Sequence, residues 1–154
     1  MLKLNIGCST DKRDDYLNID IREEVKPDVV MDIRYLQDIK DESCDEIMAN
    51  HVIEHFQIRV VPGIINVWKS KLKIGGKLII RCPDLISIAE RIISNPDDQL
   101  LSQHLFGAQD HPWNYHCCGF TEKTLKKLLR DKRFKIISSK TDYPNLEVIA
   151  EKNA

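Results

Sequence analysis

The stretch from Leu2 to Asp20 constrains this chain most. Leu2, Leu4 and Ile6 are apolar and lead straight into Gly7, which predicts a short strand ending in a tight turn. A second run, Tyr16 to Ile21, carries Asp20 near its end. A strand, a glycine turn and an acidic residue at the tip of the next strand are the parts of a nucleotide-type site. The glycine lets a ligand approach the backbone, and the carboxylate accepts ribose hydroxyls. The connection Cys8 to Asp15 is shorter than the roughly dozen residues that a parallel crossover usually takes. It is either a bare loop or the turn of a hairpin.

Downstream, apolar runs and helical spacings alternate. Asp28 to Met31 reads as a short buried strand ending at Asp32, and Asp45 to Ala49 as a fourth strand. His51 to Phe56 reads as one or two helical turns. Pro62 to Leu72 reads as a helix with Ile64, Val67, Trp68 and Leu72 on one buried stripe, stopped by Gly75-Gly76. Lys77 to Cys82 is the clearest strand. Asp84 caps a helix to about Ser94, with Leu85, Ile88, Ala89, Ile92 and Ile93 at helical spacing. Gln99 to Gly119 is irregular. Thr121 caps a last helix with Leu125, Leu128 and Leu129 inward, and Phe134 to Ser139 and Leu146 to Ala150 close the chain as strands. The pattern predicts one α/β domain, residues 1–154, with a mainly parallel sheet, an antiparallel edge strand and helices on both faces.

Composition narrows the partners. The chain has 154 residues and a formal net charge of -1, so no global basic field draws in nucleic acid. Its five cysteines are odd in number, with Cys117 and Cys118 adjacent, which does not fit a disulfide framework. Reduced thiols and a cytoplasmic location are expected. Met1 leads at once into a strand, so no signal peptide is expected, and no apolar run approaches the length of a membrane span.

With these residues in hand, the chain resembles a small class I methyltransferase that uses S-adenosylmethionine, over nearly its whole length. The resemblance rests on Leu4-Asn-Ile-Gly7-Cys8, Asn18-Ile-Asp20, Val30-Met-Asp32, Asp45-Glu-Ile, His51-Val-Ile-Glu54-His55-Phe56, Leu72-Lys-Ile-Gly75-Gly76 and Pro83-Asp84. Within the class it is similar to a compact group associated with cell-surface sugar metabolism, through Phe106-Gly-Ala-Gln109, His116 and Gly119-Phe120. The first turn departs from the family, with Ser9 and Asp11 standing where further glycines usually do, and no counterpart of the family's leading helix is expected.

The resemblance implies a Rossmann-like fold, S-adenosyl-L-methionine as cofactor, and methyl transfer to a small molecule or a glycan end. Gly7, Cys8 and Ser9 would line the methionyl part of the cofactor. Asp20, followed by Ile21, would accept the ribose hydroxyls. Asp32 and the backbone of Ile33 would meet the adenine, and Asn50 would close the site. His51 and His116 are then the candidate general bases, and His111, Trp113 and Tyr115 would shape the acceptor pocket.

Other readings fit the same residues. A cofactor-binding scaffold without catalysis would fit the reduced glycine turn. His51-Val-Ile-Glu54-His55 also matches the His-x-x-Glu-His pattern of a zinc hydrolase, in which two histidines on one helix share the ion. His104, His111, His116, Cys117 and Cys118 form a second cysteine–histidine group whose spacings fit none of the common zinc patterns, so no metal ligands are assigned. The basic run Lys123 to Lys135 alternates with leucines and reads as a solvated helix face. A thinly covered sheet face makes a homodimer a reasonable expectation.

Overall fold

The computed structural model describes all residues, Met1–Ala154. Seven strands form one sheet: β1 (Lys3–Ile6), β2 (Leu17–Asp20), β3 (Val29–Val30), β4 (Cys44–Asn50), β5 (Leu72–Pro83), β6 (Phe134–Asp142) and β7 (Asn145–Lys152). Four α-helices accompany them: α1 (Val61–Lys71), α2 (Leu85–Ser94), α3 (Leu101–Phe106) and α4 (Glu122–Asp131). The order across the sheet is β3-β2-β1-β4-β5-β7-β6. The first five strands pair in parallel, and β7 inserts antiparallel between β5 and β6. The expected mainly parallel sheet with an antiparallel edge is the observed one.

One core of 27 buried residues lies against one sheet face. Leu4, Ile6, Ile47, Ala49, Leu78, Ile80, Val148 and Ala150 enter it from alternate strand positions, as a period of two requires. Val61, Ile64, Ile65 and Trp68 enter from α1, and Leu125 and Leu129 from α4.

The opposite face explains the short first connection. β1 and β2 are parallel, joined by a bare loop rather than a hairpin turn. Asn5 and Asn18, both buried, take up the loop's polar groups. Asn5 Nδ2 donates to the Asp11 carbonyl (2.6 Å) and to Asn18 Oδ1 (3.0 Å). Asn18 Nδ2 donates to the Arg13 and Tyr16 carbonyls, while Arg13 N donates to Asn18 Oδ1. Two buried side-chain amides thus satisfy a backbone that a crossover helix would otherwise satisfy internally.

Several local expectations give way to tertiary context. β3 is two residues long and Val30 is 52% exposed, so it is an edge strand rather than a buried one. Helix α1 stops at Lys71, because Leu72 turns extended to pair with Cys44, and Gly75-Gly76 lie inside β5 opposite an irregularity in β4. On α2 only Ile88 is buried, and Ile93 is 83% exposed. The Ile53–His55 segment forms a single 3-10 turn.

Thr121 caps α4 reciprocally with Thr124: Thr124 N donates to Thr121 Oγ1, and Thr121 N to Thr124 Oγ1. Thr121→Ala is expected to lower unfolding stability by about 1 kcal/mol. Urea denaturation should show a lower midpoint at unchanged slope.

Candidate functional site

In an open parallel sheet, ligands bind outside the carboxyl ends of the strands. Here those ends bring together the Gly7 turn after β1, Asp20 closing β2, Asp32 just past β3 and Asn50 closing β4. Gly7 has φ +64, and a Cβ there would lie 2.7 Å from Val52 Cγ2. Its glycine is therefore demanded by the turn and by Val52 packing beneath it.

Asp20 is buried at the centre of a polar knot. Ser9 N donates to its Oδ2 (2.8 Å) and Arg22 N to its Oδ1 (2.9 Å). The Arg22 guanidinium then spans the corner: Nε lies 3.4 Å from Asp20 Oδ1, Nη2 donates to Ser9 Oγ (2.7 Å), and Nη1 lies 3.1 Å from His111 Nε2. An ionised carboxylate has about four lone-pair sites. Two backbone donors fill two firmly, and the long Arg22 contact holds a third.

Asp32 repeats the design. Arg34 grips its carboxylate through Nε (3.0 and 2.9 Å) and Nη2 (2.6 Å). These hydrogen bonds hold the Asp32 carboxyl below the usual carboxylate range. The neighbouring Ile33 carbonyl turns inward and accepts from the Trp68 indole (2.8 Å). The Ile33 backbone, expected against adenine, is thus tied to α1 on its carbonyl side.

Asn50 offers the clearest unfilled group. Its Nδ2 donates to Asp11 Oδ2 (3.1 Å), but its Oδ1 is buried without a partner. Asp11 also pairs with Arg13 (3.2 Å), which offsets its negative charge at this edge. The Cys8 side chain is buried and bends back to the Ser9 carbonyl, whereas Ile21 is exposed.

Beside this crevice lies a cavity of about 200 Å³ over the tips of β4 and β5, with His51, Gln103, His104, Asn114 and His116 as its polar walls. Gly107 shapes it. A Cβ there would lie 2.4 Å from the Asn114 carbonyl oxygen, so only glycine lets the two arms of this loop close. His116 Nδ1 donates to the His104 carbonyl (3.1 Å). Burial pushes the His116 imidazole below its ordinary pKa, partly opposed by the nearby Glu54 charge.

The other expected acceptor residues fall elsewhere. His111 joins Arg22 at the Asp20 corner, and Trp113 and Tyr115 are 51% and 46% exposed and outside the cavity wall. His51 has φ +54 and precedes the 3-10 turn, so His51 and His55 do not share one α-helical face as the zinc-hydrolase reading requires. Of the proposed cysteine–histidine group, Cys117 and Cys118 bond to the Tyr115 and Ile53 carbonyls. Burial pushes the Cys118 thiol up to about 12. Arg22 and Arg34 escape a reading by single residues, yet Asp20 and Asp32 are each followed by the same Ile-Arg pair: Asp20-Ile21-Arg22 and Asp32-Ile33-Arg34.

The fold, with its antiparallel β7 between β5 and β6, is of the class I methyltransferase type, and solved S-adenosylmethionine-dependent methyltransferases superpose on it. A SAM dependent methyltransferase from Archaeoglobus fulgidus superposes with a TM-score of 0.66 at 19% identity, over 97% of this chain and 85% of that one. One from Methanosarcina mazei gives 0.70 at 20% identity, over 98% and 92%. The 1,6-didemethyltoxoflavin-N1-methyltransferase of Burkholderia thailandensis, solved with 1,6-didemethyltoxoflavin and S-adenosylhomocysteine bound, gives 0.67 at 14% identity, over 99% and 71%. No protein-family model matches the sequence, and no curated protein does. At these identities the likeness establishes the fold. No helix is long and apolar enough to cross a membrane.

Proposed function

We propose that this protein transfers a methyl group from S-adenosylmethionine to a small-molecule or glycan acceptor. The observation that carries the reading is the meeting of the Gly7–Ser9 turn, the Asp20 carboxylate and the orphaned Asn50 Oδ1 at the ends of adjacent parallel strands. The residues fit the cofactor. Asp20 keeps one open lone-pair site and gains another when the 3.4 Å Arg22 contact yields, enough for two ribose hydroxyls. Asn50 Oδ1 is a buried acceptor in want of a donor, which an amino group of the cofactor supplies. Asp32 marks the adenine end.

When bound, the cofactor brings an already activated methyl sulfonium, so the protein's task is to orient and to exclude water. The pinned β1–β2 loop and the Asp20 knot hold the adenosine end rigidly. The acceptor belongs in the adjoining cavity, where Gln103 and Asn114 offer hydrogen bonds to a polar molecule. His51 and His116 line the same cavity and are its proton acceptors for a hydroxyl or amine.

Titration calorimetry with S-adenosylhomocysteine tests this. One-to-one binding is expected. A ligand at a hundred times its Kd should stabilise the fold by about 2.7 kcal/mol and raise Tm by roughly 5–10 °C. Absence of both heat and thermal shift at millimolar ligand overturns the proposal.

A further inference from the structure

Glu54 is 1% exposed, yet its Oε2 has no hydrogen-bond partner. A buried carboxylate oxygen left unfilled is costly, and one in a well-packed fold calls for a missing partner. Two imidazoles supply the context. His55 Nδ1 lies 3.1 Å from the Tyr115 carbonyl, and His116 Nδ1 lies 3.1 Å from the His104 carbonyl. A carbonyl only accepts, so each Nδ1 carries the proton and each Nε2 keeps its lone pair free. The rings meet edge to face at 5.1 Å between centroids. One donor atom from each of Glu54, His55 and His116 lies within 4.8 Å of the others.

We propose that Glu54, His55 and His116 form a divalent metal site, taking a zinc-type first-row cation through Glu54 Oε2 and the two Nε2 atoms.

The surroundings are built for it. Backbone carbonyls on both Nδ1 atoms fix the tautomer that ligation needs, a feature typical of histidine ligands. His51 Nδ1, 3.1 Å from Glu54 Oε1, holds the carboxylate's other oxygen. Cys117 N and Cys118 N donate to the Glu54 carbonyl (2.7 and 3.2 Å), which locks the His116 segment onto the 3-10 turn. Ligands about 2.1 Å from a tetrahedral zinc stand closer together than 4.8 Å, so binding draws the three inward by small side-chain rotations. Two imidazoles and a carboxylate favour zinc or cobalt over magnesium and calcium, which prefer oxygen donors. Three protein ligands leave a tetrahedral position open. His116 also walls the acceptor cavity, so an acceptor oxygen can complete the sphere. That last point rests on the methyl-transfer reading, whereas the metal site does not. With the ion in place His116 is a ligand, and His51 is left as the cavity's proton acceptor.

The test is zinc titration of chelator-stripped full-length protein by calorimetry, with cobalt absorption reporting the donor set. One equivalent should bind at micromolar Kd or tighter, with a nitrogen–oxygen cobalt spectrum free of thiolate bands. Glu54→Gln, His55→Asn and His116→Asn should each weaken zinc by at least about tenfold. The Cys117→Ser/Cys118→Ser double variant should bind as the parent does. Circular dichroism checks folding. Should the buried Glu54→Gln variant misfold, the partly exposed His55→Asn variant decides alone. No stoichiometric binding, or affinity unchanged in the histidine variants, overturns the site, and so does loss only in the cysteine variant. Titrating the same preparation with S-adenosylhomocysteine separates the two proposals. Zinc binding without cofactor binding leaves the metal site standing and removes the methyl-transfer reading, and the converse removes only the metal site.

Discussion

Asp20→Ala is expected to weaken S-adenosylhomocysteine binding by about ten- to a hundredfold. Hydrogen bonds to a charged acceptor contribute roughly 1.5–3 kcal/mol, and each 1.4 kcal/mol is about tenfold in Kd. The carboxylate is buried, so water does not replace it cheaply once it is gone. The substitution also strips partners from Ser9 N and from the Arg22 backbone and side chain, all of which now converge on Asp20. Part of the loss will therefore come from a looser Gly7–Ser9 turn. Arg22→Ala separates the two contributions. It removes the guanidinium from Asp20 and Ser9 but keeps the acceptor, and it should cost far less affinity. Calorimetry on both variants, with folding checked by circular dichroism, reads the difference. An Asp20→Ala Kd equal to the parent's would mean that the ribose does not sit on this carboxylate.

The sheet was legible because its signals are local. Leu4 and Ile6 before Gly7, Asp20 and Asp32 after short apolar runs, and the Lys77 to Cys82 run each declare themselves within a few residues. The first crossover was not. Whether Cys8 to Asp15 turns back or crosses over depends on Asn5 and Asn18, which look like ordinary polar strand residues until they are seen bonded to the loop. The same holds for Gly75-Gly76. Two glycines after a helical stripe predict a stop, but the actual stop is Leu72 pairing with Cys44, a long-range event. On α2 the periodicity predicted a buried face. Periodicity reports which side is apolar, not whether anything packs on it. At the candidate site the acids were visible as residues and their arginine partners only as a repeated Asp-Ile-Arg. Glu54 shows the limit most clearly. In sequence it pairs with His51 and His55 by spacing, while in space its carboxylate gathers with His55 and His116, the latter 62 positions further along and held there by the Cys117 and Cys118 backbone bonds.

Trp68→Ala is expected to be the most damaging single change to the fold. The side chain is fully buried in α1, and its Nε1–H donates to the Ile33 carbonyl at 2.8 Å. Removing a buried indole costs about 3–5 kcal/mol through lost burial and the cavity left behind. For a domain of this size that corresponds to a fall in Tm of roughly 6–20 °C. Trp68→Phe divides the effect. It keeps most of the apolar volume but leaves the Ile33 carbonyl without its donor, which costs about 1–3 kcal/mol in a buried setting. Both variants should show lower urea midpoints. Because the Ile33 carbonyl follows Asp32 directly, Trp68→Phe should also loosen the adenine end of the crevice, so its affinity for S-adenosylhomocysteine should fall, though less than that of Asp20→Ala. A Trp68→Phe variant with parental stability would show that the indole hydrogen bond contributes nothing, and that α1 holds the β3 edge by packing alone.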